Sequence, residues 1–270
     1  FPTRRSSDLG SGGNLDTTGP IGDSGLAYRL IVDHEDEDYW RNFGTHRESM
    51  IAPSLAWYGD TTKVVFAYEH REFLSPFDRG TAIDPKTNHP LDIPATRRLD
   101  EPFNNMEGRS DLYRFEADHE LNDDWTAHVG YSWNRETYDA SQVRITSVNT
   151  NGTLTRSMDG TRGALTTDRF ATASLEGKVK LGGMQHDLVF GLDDEYRKIY
   201  RAELIRQSQR SAFSYVNPVY GNDVQGTTVS AKDSAQTDLL RSDSLFLQDA
   251  IHLTDQWILV GGARYQMYDQ

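Results

Sequence analysis

Residues 125–134 read Trp-Thr-Ala-His-Val-Gly-Tyr-Ser-Trp-Asn. In an extended chain Trp125, Ala127, Val129, Tyr131 and Trp133 project to one side. Thr126, His128, Gly130, Ser132 and Asn134 project to the other. A side-chain period of two is the mark of a β-strand, here with one oily face and one wet face. Ala171, Ala173, Leu175, Gly177 and Val179 repeat the pattern against Thr172, Ser174, Glu176, Lys178 and Lys180. Segments of this kind recur about ten times with no helical period between them. The wall of a transmembrane β-barrel meets that demand, with apolar side chains on lipid and polar ones on the lumen.

Composition agrees with such a wall and excludes several other classes. The chain has 270 residues, 36% of them hydrophobic, and a mean hydropathy of −0.67. No stretch approaches the ~20 apolar residues of a spanning helix, whereas a barrel strand commits only every second residue to lipid. A net charge of −13 argues against a nucleic-acid partner. The lack of cysteine removes disulfides, thiolate metal sites and cysteine nucleophiles. Residues 1–9 (FPTRRSSDL) show neither a signal-peptide h-region nor strand alternation; they are expected to be a non-native tail, or else an ordinary polar one, and are left out of the fold reasoning. Residues 10–270 are read as one partial barrel domain.

Connectors alternate in length. Short turns are expected at Gly22–Gly25, Gly59–Thr61, Asn122–Asp124, Gly182–Gly183 and Thr254–Gln256. An acidic connector (Asp36, Glu37, Asp38) leads from the second strand to the third. Three further connectors, 75–108, 139–167 and 205–237, reach roughly thirty residues, well beyond ordinary loops. The second of these is expected to hold a hairpin at Asn151-Gly152. Short turns on one side and long loops on the other characterise outer-membrane barrels, with tight periplasmic turns and long extracellular loops. Trp57, Trp125 and Trp257 lie beside short turns, as a periplasmic aromatic girdle requires, and Trp133 is expected at the other end of its strand. Asp249 breaks the pattern by sharing the phase of Leu245, Leu247 and Ile251; a β-bulge or the headgroup region would accommodate it.

Two stretches resemble the TonB-dependent siderophore receptors. Leu15-Asp16-Thr17-Thr18-Gly19-Pro20-Ile21 with Leu26-Ala27-Tyr28-Arg29-Leu30 is similar to the family's first barrel hairpin. Leu245-Phe246-Leu247-Gln248-Asp249, Leu253-Thr254-Asp255-Gln256-Trp257 and Gly261-Gly262-Ala263-Arg264-Tyr265 are similar to a mid-barrel hairpin, and Ile51–Leu55 to the third strand. The resemblance runs from Gly13 to Gln270. It implies an all-β, antiparallel transmembrane β-barrel fragment, about ten strands of a 22-stranded barrel. It further implies a bacterial outer-membrane location and import of a ferric siderophore with energy from the inner-membrane TonB complex. Ferric iron would travel as the siderophore complex, with no cofactor held by the chain's own side chains. The family's plug, which fills the barrel and engages TonB, is not recognised in these residues, so an open sheet with two free edges is expected. In isolation such a sheet is expected neither to transport nor to stay monomeric.

Ligand contacts in such receptors come from aromatic and polar residues of the outer loops. The candidates are Tyr39 and Trp40 in the first loop, and Phe77, Arg79, Arg97, Arg98 and Phe103 in the second. Tyr138 opens the third, and Tyr215 and Tyr220 belong to the fourth. Aromatic faces suit chelate ligands and arginine suits an anionic complex. The competing reading is that loop aromatics pack their own loop and arginines pair with the abundant acids. Enzyme chemistry has little support. The eight histidines (34, 46, 70, 89, 119, 128, 186 and 252) make no H-E-x-x-H motif. The acidic runs 36–38 and 193–195 lack calcium-loop spacing. Ser54 and Ser244 lie in strands without a nucleophile elbow, and Gly10–Gly13 does not open a helix as a phosphate loop would. Two other readings stay open: a receptor for another nutrient such as cobalamin or a saccharide, and a soluble all-β binding or hydrolytic domain. A passive porin is a third, disfavoured by the motifs.

Overall fold

The structure is a computed structural model that describes residues 10–270; the tail at 1–9 lies outside the described residues. Every regular element is a β-strand. They are β1 (Gly10–Ile21), β2 (Leu26–Asp38), β3 (Thr45–Tyr58), β4 (Thr62–Pro76), β5 (Asn105–Asn122) and β6 (Trp125–Val148). The series continues with β7 (Thr153–Leu181), β8 (Met184–Arg201), β9 (Glu203–Ile205), β10 (Phe213–Ser214), β11 (Gln236–His252) and β12 (Ile258–Asp269). Ten form one antiparallel meander in chain order, β8 pairing directly with β11, while the short β9 and β10 add to the outer part of β7. β1 and β12 are the two edges of the sheet, each paired on one side. This is the open antiparallel sheet expected.

The five short turns fall where expected and leave all the long connections at the other end of the sheet. Three details differ. The acidic segment Asp36–Asp38 belongs to β2, where Asp36 pairs with Arg47 across the ladder, so the first outer loop is only 39–44. Residues 139–167 are not a loop: β6 and β7 continue through them as a hairpin that turns at 149–152. Backbone pairing satisfies polar strands as fully as apolar ones, and polar side chains of this hairpin such as Arg156 and Asp159 are buried beneath the loops, so polarity there does not signal irregularity. Trp133 is consequently mid-strand, about eight residues from the inner turn. Of the three long connectors, two remain loops, 77–104 and 202–235.

The apolar stripes are uncovered. Phe66, Val129, Leu192, Leu245 and Leu247 remain between 48 and 61% exposed, with no second layer against them. A soluble sandwich would have buried these faces, so that reading is set aside.

Register shows that the oily band is inclined to the strands. The pairing that starts at Val32 runs through Ile51, His70, Asp111, Arg135, Thr167 and Lys198 to Leu239. The apolar stripe of β11, interrupted at Asp249, stops outward at Leu245, about six residues short. A drift of about six residues of ~3.4 Å across seven steps of ~4.8 Å means a tilt of roughly 30°. Membrane barrels tilt their strands by ~35–45° for the same reason: a level hydrocarbon slab crosses slanted strands.

Asp249 has an explanation without a bulge. Its register with Leu188 and Gly261 is regular, and it lies three residues from the inner end of β11. His186 Nδ1 is 2.8 Å from its carboxylate, which gives the charge a partner at the interface.

Candidate functional site

Two surfaces meet at the outer end: the polar wall of the lumen and the loops that stand over it. The wall is laced by cross-strand pairs on the wet face. Arg29 meets Asp16 at 2.6 Å, His128 meets Asp118 at 2.8 Å, and Arg197 meets Asp168 at 2.8 Å. Arg264 grips Asp193 with both terminal nitrogens at 2.8 Å and donates to Ser244 Oγ at 2.7 Å. Arg29 and Arg264 each hold their carboxylate through two nitrogens, which orients those side chains along the wall.

The loops are braced through one buried arginine. Arg156 of β7 meets Glu101 at 2.6 Å and Asp223 at 2.8 Å, donates to the Leu99 carbonyl, and lies 3.8 Å over the Phe213 ring. Glu101 and Arg156 are almost wholly buried. Their second oxygens close the joint: Glu101 Oε2 accepts from the Gly221 amide and Asp223 Oδ1 from the Arg210 amide. Leu91, Leu99, Leu154 and Phe213 form the apolar cluster around it. Loop 77–104, the β6–β7 hairpin and loop 202–235 are thereby one body.

Three of the seven candidate aromatics, Tyr39, Tyr215 and Tyr220, and the candidate arginines Arg97 and Arg98 brace the loops. Tyr220 stacks edge-on against Phe43 (4.9 Å) and near Phe213 (5.6 Å), and donates to the Arg98 carbonyl at 2.9 Å. Arg97 donates to the carbonyls of Tyr215 and Val216. Arg98 is fully buried, paired with Asp100 at 2.5 Å and placed 4.7 Å from Phe43. Tyr39 donates to Asp78, which also pairs with Arg41 at 3.1 Å. Burial raises the hydroxyl pKa values of Tyr39 and Tyr220 above the ordinary tyrosine value. It also pushes the Asp100 carboxyl up to about 6 despite the Arg98 guanidinium; the desolvation cost outweighs the pair.

Of the other candidates Trp40 and Arg79 are exposed, and Phe77, Phe103 and Tyr138 are half-buried. Trp40 is 51% exposed with the Arg41 guanidinium 4.9 Å from its ring. Arg79 reaches over Phe77 (5.6 Å) and bonds Gln142. Tyr138 lies within β6, not at a loop's start, and lines a groove of about 620 Å³ with Arg47, Glu72, Arg109 and Asp139. Phe103 borders one of about 250 Å³ with Asn105, Ser141 and Gln225. Reading the sequence missed Arg156, Glu101, Asp223 and Phe213. Their partners are 55 and 67 residues apart, and an isolated charge in a polar stretch carries no signal of burial. Among the described residues no group of three His, Asp or Glu side chains is set to hold a metal.

Comparison with known proteins agrees with this geometry. Residues 13–270 match the family model described as TonB dependent receptor-like, beta-barrel. A metal-pseudopaline receptor of Pseudomonas aeruginosa is 27% identical over 263 residues, covering 95% of this chain and 36% of that protein. The ferric-catecholate import receptor Fiu of Escherichia coli superposes with a TM-score of 0.81 at 18% identity, over 97% of this chain and 43% of that one. The ferric preacinetobactin receptor BauA of Acinetobacter baumannii gives 0.81 at 18% identity, over 97% and 40%. The chain spans about a third of the length of the curated relatives it matches.

Proposed function

The chain belongs to the TonB-dependent receptor β-barrel family, and from that membership we propose that it forms wall and outer loops of a receptor importing a metal-loaded siderophore. The family resides in the bacterial outer membrane. The cargo is a ferric or similar metal–siderophore complex, carried as substrate, with transport energy from the TonB complex acting through a plug. Support for the cargo comes from the relative named for metal-pseudopaline. Support for the mode of binding comes from one observation: the outer loops are locked together by Arg156 over a charged lumen wall. A preformed loop surface binds without a large ordering cost.

Trp40, Phe77, Arg79, Phe103 and Tyr138 are the residues proposed to meet the ligand. Tyr39, Arg97, Tyr215 and Tyr220 are proposed to act indirectly, by holding that surface.

The test is growth of an iron-starved strain that depends on the full receptor, with direct binding of the loaded siderophore. Trp40→Ala with Arg79→Ala should weaken binding about tenfold while folding is kept. Uptake that persists without TonB, or binding of cobalamin or a saccharide in place of every siderophore offered, overturns the proposal.

A further inference from the structure

The outer hairpin has an open side. Pairing of β5 with β6 ends at Met106 and Ala140, so the outer part of β6 is paired with β7 alone. The arm 79–85 of the second loop stands along that open side and forms no ladder with it among the described residues. Between them lies a groove of about 580 Å³, lined on the arm by residues 79–83 and Pro85 and on β6 by residues 144–148.

No carboxylate lines this groove, in a chain of net charge −13. The acids nearby are engaged elsewhere. Asp78 holds Arg41, Tyr39 and the Gly80 amide, and Asp84 caps the Lys86 amide. Asp159 is only 2% exposed and accepts from Arg144 Nε at 2.6 Å, which leaves both terminal nitrogens of Arg144 without a partner among the described residues. Arg79 gives Nε and Nη2 to a neutral group, Gln142 Oε1, and keeps Nη1 free. Gln142 and Arg144 lie on one face of β6, ~7 Å apart, which spaces the two guanidinium groups along the groove.

The backbone supplies a further donor. Opposite residues of an antiparallel pair exchange both hydrogen bonds or neither. Arg156 donates its amide to Gln209 Oε1 and accepts the Gln209 amide at its carbonyl. Ile145, its partner in the ladder, therefore turns its own amide away from β7, toward the open side. Ile83, Pro85 and Val148 add apolar surface beside these donors.

We propose that this groove selects cargo of net negative charge. Anionic oxygens of a metal chelate meet Arg79, Arg144 and the Ile145 amide, and its organic frame lies on Ile83, Pro85 and Val148. The inference rests on the importer reading above and adds the charge class that the loops accept. Free guanidinium nitrogens match carboxylate or phenolate oxygens. Both arginines are oriented before the ligand arrives, Arg144 by Asp159 and Arg79 by Gln142 and the Phe77 ring 5.6 Å away, so binding orders little. A cationic chelate meets two like charges and no carboxylate, which rejects it.

The experiment uses the full receptor containing this chain in zwitterionic micelles, with binding read by calorimetry. The probe is one iron(III) tris-hydroxamate chelate made in three forms, with carboxylate, amide or ammonium groups at its periphery. The carboxylate form should bind about tenfold more tightly than the ammonium form, and the preference should shrink as salt is raised. Arg79→Gln and Arg144→Gln should each reduce the preference and together abolish it. Arg144→Gln deprives a buried carboxylate of its partner, so a second variant carries the test if the first fails to fold. Ser147 is exposed, and Ser147→Glu puts a negative charge at the groove while both arginines stay. It should reduce the preference severalfold, well beyond the effect of Ser147→Gln. Heat-resistant gel migration reports folding. Equal affinity for the three forms, no binding of the carboxylate form, or an unchanged preference in folded Ser147→Glu overturns the proposal, provided the receptor still supports growth on a metal–siderophore complex. A receptor that supports growth on none overturns the importer reading itself, and this inference with it.

Discussion

Arg156 lies over the Phe213 ring, 3.8 Å from guanidinium carbon to ring centre, and pairs with Glu101 and Asp223. One side chain therefore closes contacts between segments separated by more than fifty residues. Burying a charge is tolerable only with such complete pairing, and losing one partner leaves the others uncompensated.

Replacing Arg156 by Met should loosen both loops together. The two stranded carboxylates predict a local loss of about 3–5 kcal/mol. Hydrogen exchange should accelerate in 77–104 and 206–235 and leave β2–β5 unchanged. Faster exchange in only one loop would show that they are not a single body.

Asp100 should make the second loop more stable in acid. Its folded pKa of about 6 lies above the ordinary 3.8, so the folded loop holds the proton more tightly than the open one. That stabilisation is fully present below pH 4 and is lost as pH rises to 6, a change of about 3 kcal/mol. Asp100→Asn should flatten this contribution. The quantity to measure is the difference in exchange between native and variant receptor from pH 4 to 8, because other carboxylates cancel in it. A difference independent of pH contradicts the assignment.

Gly177 lies directly opposite Trp125, and a Cβ there would collide with the indole. Gly177→Val should expel Trp125 from the inner interface and destabilise the sheet by about 1–3 kcal/mol. Tryptophan emission should shift, and the same substitution in a Trp125→Ala background should cost much less. Additive costs would mean the contact is incidental.

Val129 and His128 are chain neighbours on opposite faces. Val129→Lys should cost about 2–4 kcal/mol in bilayer unfolding, as expected for a cation on the lipid side near the midplane. His128→Lys should cost far less, because Asp118 and Glu176 already surround that position. If the two costs were equal, neither face would be in hydrocarbon.

The strand alternation at 125–134 and 171–180 was enough to determine the all-β class, the inward and outward faces and the positions of the short turns. These follow from local geometry: successive side chains alternate, and a slab of oil beside a column of water selects their polarity. The motifs at 15–30 and 245–265 similarly pointed to the family. Polarity misled at 36–38 and 139–167, because backbone pairing carries strands past the membrane where no apolar face is needed. Only the tertiary structure decided the rest. It turned Tyr220 and Arg97 into braces, joined Arg156 to Glu101 and Asp223, and set Arg79 and Arg144 on one groove. Such partnerships depend on register and loop closure, summed over many strands, and no local pattern in the chain encodes that sum.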